Sequence, residues 1–341
     1  MAKRAIITGI SGQDGALLAR YLLTQGYEIW GGTRETSLRE AWRLNELGIL
    51  SDIHTLNLDL TDGPKVIEAI ASLAPDEIYN LAGQSFVADS FRQPLYSSQV
   101  NAMGALYILE AIRTCNPNVR FYQASSSEMY GNNGQTIQNE TSTLIPSNPY
   151  AYGKCFSHWM TINYRKAYNL FAASGILFSH ESSLRSNEFV TRKITQGFAR
   201  IKANEIPFIE LGAVDAQRDW GHAEDYVRGM YLMLQQHVAD DYVLASGECH
   251  SIRDFVNLAA SICGWQAKWV GEGVDQICID EISKKLLVKI NPAYLRSWEV
   301  PPIKGDSTKA KAHLHWTPIN NFESLVSEMM EQDLRRVCGH S

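Results

Sequence analysis

A short apolar run, Ala5-Ile6-Ile7, leads directly into Thr8-Gly9-Ile10-Ser11-Gly12-Gln13-Asp14-Gly15. Glycines three apart, between a strand and a helix, let the backbone turn tightly, approach a pyrophosphate and pack helix on sheet. The helix N-terminus then offers N–H groups to the anion. On their own the three glycines also read as a plain turn. The next segment, Gln13–Gln25, carries Leu17, Leu18, Tyr21 and Leu22 on one helical face, with Gly26 suited to its C-terminal cap. In that context the loop is predicted to bind a dinucleotide through Gly9, Gly12, Gln13, Asp14 and Gly15.

The rhythm continues in the same way. Residues 27–32, 53–58, 77–81 and 120–124 read as further strands, with helices over 66–73 and 102–113. Strands alternating with helices of this size predict an α/β fold with a parallel sheet and right-handed crossovers. After residue 180 the pattern loosens. Helices are expected over 189–203 and 224–236, a short strand over 208–211, and irregular structure over 264–303. The expected division is 1–180 for the cofactor-binding domain, with some later segments returning to it, and 181–341 mainly for a substrate-binding lobe.

Charge and cysteine usage exclude several function classes. The 341 residues carry a net charge of −6 with no basic run, which argues against nucleic-acid binding but leaves an anionic small substrate open. Six cysteines form no CxxC pair and no ligand cluster with histidine, so reduced thiols, a cytoplasmic location and no metal site are expected. No apolar run approaches the roughly 20 residues that span a bilayer. Lys3 and Arg4 precede a stretch too short for a signal peptide.

Cofactor choice is read at the end of the second strand, where an acidic residue favours NAD and an arginine favours NADP. The sequence there is Arg34-Glu35, which points to NADP through Arg34 and leaves NAD as the lesser alternative. Asp59 and Leu60, after the third strand, are placed to meet an adenine. Leu81 and Ala82, after the fourth, are placed along the cofactor path. Both segments are also compatible with turn chemistry alone.

The fifth strand leads into Ser125-Ser126-Ser127-Glu128, and Tyr150 and Lys154 follow four apart on one helix face. A nearby ammonium favours the phenolate, which makes Tyr150 a base near neutral pH, while Ser126 can hold the same substrate oxygen. Downstream of the glycine loop this set places the chain in the short-chain dehydrogenase/reductase superfamily. Alcohol dehydrogenation needs only Ser126, Tyr150 and Lys154. Glu128 adds an acid and base for a neighbouring carbon; its plain reading is a capping or surface glutamate.

The segments TGISGQDGALLA, YNLAGQSFVADS, FYQASSSEMYG, NLFAASGILFSHES, FVTRKI, AQRDWGHAEDYV, GDSTKA and LHWTP run from the first strand nearly to the last helix. In them the chain resembles the bacterial GDP-mannose 4,6-dehydratases, extended members of that superfamily. The resemblance implies a Rossmann-type doubly wound parallel sheet with a smaller mixed α/β substrate-binding lobe. It also implies a lyase that forms a 4-keto-6-deoxy sugar for deoxysugar biosynthesis, and a homodimer or homotetramer. Tyr150 would take the C4 hydroxyl proton as hydride passes to NADP, with Lys154 supporting Tyr150 and the nicotinamide ribose. Glu128 would take the C5 proton and help water leave C6, to which the hydride returns. For the GDP-sugar the resemblance implicates Ser85, Ser179, Val190, Lys193, Arg218, Arg296 and Glu299; Arg and Lys suit a diphosphate and Glu299 a guanine edge or ribose.

Departures gather around the sugar. Where the family reads Asn-His-Glu-Ser-Pro, this chain has Ser179-His180-Glu181-Ser182-Ser183, and where it reads Arg-Ser-Pro-Tyr, this chain has Ser147-Asn148-Pro149-Tyr150. They leave a related sugar such as a GDP-manno-heptose as an alternative substrate. A GDP-sugar epimerase or reductase, and a non-catalytic nucleotide-binding paralog, are the other readings.

Overall fold

The computed structural model describes residues 2–34, 41–295 and 302–339. The chain forms two compact units: residues 1–178, 223–245 and 305–317 build the first, and residues 179–222, 246–304 and 318–341 the second.

The first unit is organised by a seven-stranded sheet. Across it run Asp241–Leu244, Ala172–Leu177, Arg120–Ser126, Glu77–Asn80, Arg4–Thr8, Glu28–Thr33 and Ile53–Asn57. Every neighbouring pair is parallel. This is the Rossmann-type order, and it reverses direction between Arg4–Thr8 and Glu77–Asn80. At such a switch point the turns leaving adjacent strands diverge and open a crevice at the strands' C-terminal ends. Ala5, Ile6 and Ile7 are fully buried, as expected of a central strand covered on both faces. On one face the helices Gly63–Leu73 and Gly104–Cys115 press Val66, Ile70, Ile108, Leu109 and Ile112 onto Ile6, Ile78 and Phe121.

Two strands of this sheet, Ala172–Leu177 and Asp241–Leu244, escape the sequence rhythm. The first reads Ala-Ala-Ser-Gly-Ile-Leu, poor in β-branched residues, yet all six are buried; burial between neighbours outweighs weak local propensity. The helix expected from residue 102 begins at Gly104, after a wider π-type turn over Gln99–Met103.

The second unit has two small sheets. The expectation of irregular structure over 264–303 is corrected for its described part. Ala267–Val270, Ile277–Asp280 and Leu286–Ile290 form an antiparallel meander, to which Ile209–Leu211 adds in parallel. The strands are only three to five residues long, too short for a clear alternation. Asp280 fixes one turn by accepting from the N–H groups of Gln266 at 2.8 Å and Ser283 at 3.0 Å. The other sheet orders Cys249–Ser251, Gln217–His222 and Ser179–Glu181. Helices Val190–Lys202, Ile252–Ile262 and Phe322–Cys338 close the core around Trp220, Phe255 and Phe322. No helix among the described residues is long and apolar enough to cross a membrane.

Inside this core sits an ion pair. Arg192 and Asp333, 3% and 1% exposed, face each other across two helices. Thr195 donates to the same carboxylate at 2.7 Å and Arg336 at 3.0 Å. Removing one partner leaves a dry guanidinium uncompensated, so Asp333→Ala is expected to cost about 3–5 kcal/mol in urea unfolding. A loss below about 1 kcal/mol would mean that water reaches the pair.

Candidate active site

The glycine loop is shaped by contacts that no side chain would allow. Gly9 has φ +70°, and a Cβ there would lie 2.9 Å from the Ala82 backbone; a Cβ on Gly15 would lie 2.3 Å from the Gly9 carbonyl. Gly12 donates its N–H to Gly9 O at 2.9 Å and caps the helix Gln13–Thr24 without a side-chain acceptor. The cap residue thus brings no side chain of its own, and the loop forms a cradle that methyl groups would fill. These features fit a dinucleotide pyrophosphate. Gln13 is buried and donates to Asp14 at 2.9 Å.

A buried polar thread ties this loop to the catalytic end of the sheet. Thr8 Oγ1 accepts from the N–H groups of Leu81 and Ala82, at 3.1 and 3.0 Å, and donates to Asn80 at 2.8 Å. Asn80 donates to Gln123 at 2.8 Å, and Gln123 to the Ala124 carbonyl at 3.0 Å. The same carbonyl accepts from Lys154 Nζ at 2.8 Å. Leu81 and Ala82 are half-buried along the cofactor side of this thread.

The other cofactor candidates separate. Arg34 is exposed and donates to the Tyr96 hydroxyl at 2.5 Å. Asp59 spends one carboxylate oxygen on the N–H and hydroxyl of Thr61, at 2.9 and 2.8 Å, and Leu60 is core packing beneath Gly104. Glu35 lies outside the described residues.

The four candidate catalytic residues all lie within the first unit. Ser126 ends its strand, 8% exposed, and its Oγ accepts from Glu128 N–H at 3.2 Å, starting the short turn Ser127–Tyr130. Glu128, half-buried, accepts from the Asn148 side chain at 3.1 Å. Asn148 also caps the helix Pro149–Tyr168, which carries Tyr150 and Lys154, 9% and 5% exposed. The Lys154 ammonium stands 5.8 Å from the centre of the Tyr150 ring. Burial pushes Lys154 down to about 8, with the charge of Asp14 partly opposing. Ser85 lies exposed just after the fourth-strand turn.

In the second unit, Ser179 begins a strand paired with Trp220, and Val190 and Lys193 occupy the first turn of one helix. The Lys193 ammonium lies 3.9 Å above the Tyr294 ring, and burial lowers its pKa against the pull of Glu210. The Tyr294 carbonyl presses against Gly212, which lines a cavity of 380 Å³ with Val214, Asp215, Glu272, Gln276 and Leu295. Arg218 is half-buried on the strand Gln217–His222 and donates to its neighbour's carbonyl. Arg296 and Glu299 lie outside the described residues.

Several contributors were not read from the sequence. Asn101, 2% exposed, accepts from Gln84 N–H at 3.1 Å and reaches Ser97. It sits in the π-type turn, which leaves no periodic signature. Arg43 is buried and donates to the Ser11 carbonyl of the glycine loop at 2.9 Å. Asn148 carried one signal, an Asn-Pro pair ahead of a helix, which marks a cap.

The electrostatics of Lys154 give a stability test. Its folded pKa, about 8, lies below the ordinary 10.5, so the unfolded chain binds more protons between those values and stability rises with pH there. Below pH 8 the buried charge costs up to about 3 kcal/mol. Lys154→Met is therefore expected to raise thermal stability at pH 7, with the gain vanishing above roughly pH 10. A variant less stable than wild type at pH 7 would contradict this.

Comparison with known proteins bears on the family. The GDP-mannose 4,6 dehydratase family model matches residues 6–329. A GDP-mannose 4,6 dehydratase of Drosophila melanogaster is 46% identical over 340 residues, covering 97% of this chain and 86% of the relative. A GDP-mannose 4,6-dehydratase of Yersinia enterocolitica is 41% identical, covering 99% and 96%. Among solved structures, a Bacillus anthracis dTDP-glucose 4,6-dehydratase in complex with NAD superposes with a TM-score of 0.78 at 17% identity, over 97% of this chain and 96% of that one, a likeness of fold. The chain belongs to the GDP-mannose 4,6-dehydratase family, enzymes of the lyase class with the extended short-chain dehydrogenase/reductase fold and a nicotinamide cofactor.

Proposed function

We propose that the chain converts GDP-D-mannose to GDP-4-keto-6-deoxy-D-mannose, with Ser126, Glu128, Tyr150 and Lys154 as its catalytic residues. The observation that carries the reading is Glu128. Ser126, Tyr150 and Lys154 suffice to oxidise an alcohol, yet a half-buried carboxylate stands two residues beyond Ser126 and is bonded to the cap of the Tyr150 helix. Tyr150 takes the proton from the C4 hydroxyl while Ser126 holds that oxygen, and the Lys154 ammonium favours the negative charge nearby. The bound nicotinamide supplies hydride acceptance from C4 and hydride return to C6, without net redox change. The C4 ketone acidifies C5–H; the Glu128 carboxylate takes that proton, the C5–H electron pair forms the C5–C6 double bond, and the C6 hydroxyl leaves as water with the proton from Glu128; hydride return to C6 would leave an enolate that takes a solvent proton at C5, giving the 4-keto-6-deoxy sugar.

The cofactor is NADP rather than NAD. Arg34, beside Tyr96 at the end of the second strand, is the cation for a 2′-phosphate. Val190, Lys193 and Arg218 receive the nucleotide diphosphate. All six cysteines are free of disulfides, which suits a cytoplasmic setting. Helix Pro149–Tyr168 exposes Tyr152, Phe156 and Trp159, spaced four and three residues apart. Such an aromatic stripe fits self-association into at least a homodimer. Trp159→Glu is expected to shift the protein to a monomer in sedimentation; a wild-type protein already monomeric at micromolar concentration would remove the proposal.

The deciding assay incubates the protein with NADP and GDP-mannose and weighs the nucleotide sugar. Loss of one water without build-up of reduced nicotinamide is the expected result, and in Glu128→Gln that loss falls by at least about a hundredfold. Unchanged GDP-mannose under conditions where cofactor and GDP bind would overturn the substrate assignment. Undiminished dehydration by Glu128→Gln would overturn the role of Glu128.

A further inference from the structure

We infer that Asn148 is a positioning residue for the elimination half of the reaction: it fixes the Glu128 carboxylate relative to the helix that carries Tyr150. The inference rests on the reading of Glu128 as the C5 base. Asn148 is 2% exposed, and both ends of its amide are used. Its Oδ1 accepts from Ala151 N–H at 2.8 Å, capping the helix Pro149–Tyr168, and its Nδ2 donates to Glu128 Oε2 at 3.1 Å.

The chain is brought to this point by a close approach. Gly131 ends the turn Ser127–Tyr130 with φ +53°, and a Cβ there would fall 1.8 Å from the Ile145 carbonyl. Only a glycine lets the segment before Asn148 lie directly on the turn that holds Glu128. One planar amide therefore bridges two separately built arms of the site.

The amide donor is neutral, so it orients the carboxylate without adding charge. With Oε2 committed to Asn148, Oε1 is left to take the C5 proton. A serine at 148 keeps a helix cap, since its hydroxyl accepts from the first turn. It is shorter and has no amide N–H to reach the carboxylate at the same time. An aspartate also keeps the cap acceptor but sets a second carboxylate against the first. The two substitutions thus separate helix capping from the hold on Glu128.

The experiment uses the full protein with NADP and GDP-mannose, comparing wild type, Asn148→Ser, Asn148→Asp and Glu128→Gln. Thermal unfolding reports the cap. Absorbance of reduced nicotinamide during turnover, and hydrogen exchange at C5 of the sugar in heavy water, report the elimination. The expected result for Asn148→Ser is a melting temperature close to wild type, unchanged C4 oxidation and about tenfold slower C5 exchange, so that reduced nicotinamide accumulates. Asn148→Asp gives the same pattern more strongly. Wild-type partition between oxidation and water loss in both Asn148 variants overturns the inference, as does a loss of all steps in proportion to lost stability. Glu128→Gln that still exchanges C5 at the wild-type rate instead sinks the underlying role of Glu128, so the two failures are distinguishable.

Discussion

The hydrogen bond from the Lys154 ammonium to the Ala124 carbonyl organises the first unit. A charge that deep is costly, and the fold tolerates it because the carbonyl belongs to a strand end already fixed by the thread from Thr8 through Asn80 and Gln123. Thr8, Asn80 and Gln123 link three adjacent parallel strands, and Gln123 and Lys154, the latter from the helix Pro149–Tyr168, meet on the Ala124 carbonyl. The glycine loop, the turn at Leu81 and Ala82, and the helix of Tyr150 are therefore registered by one continuous set of bonds. Moving any of them means breaking a bond that water cannot replace.

The sequence was most legible where backbone demands were local. Gly9 and Gly15 announce a close approach because any other residue would collide there, and strand one reads as an uninterrupted apolar run because both its faces are covered. Tyr150 and Lys154 are legible because a helix fixes their spacing. Strand Ala172–Leu177 was not, since its Ser and Gly suit no local preference and only its neighbours make it a strand. The meander over 267–290 was missed for a related reason: each strand is short, and pairing partners rather than composition define it.

The site divides in the same manner. Candidate residues that belong to a motif can be read from the sequence, while those defined by a contact distant in sequence cannot. Asn148 meets Glu128 across twenty residues, Arg43 meets Ser11 across thirty-two, and Asn101 works from a turn with no periodicity. Leu60 illustrates the converse. It lies in a segment placed correctly after the third strand, but its side chain fills the space under Gly104. In the second unit the buried Arg192–Asp333 pair was equally silent, because FVTRKI offers no sign that its arginine turns inward.

The seventh strand of the large sheet, Asp241–Leu244, comes late in the chain, after the stretch 179–222 has gone to the second unit. During synthesis the sheet must therefore wait, with the edge of Ala172–Leu177 unpaired and apolar, until those later residues emerge. An open parallel edge of this kind is a template for pairing with another nascent chain. The order of elements along the chain thus exposes the newborn protein to aggregation in a window that closes only when residue 244 is delivered.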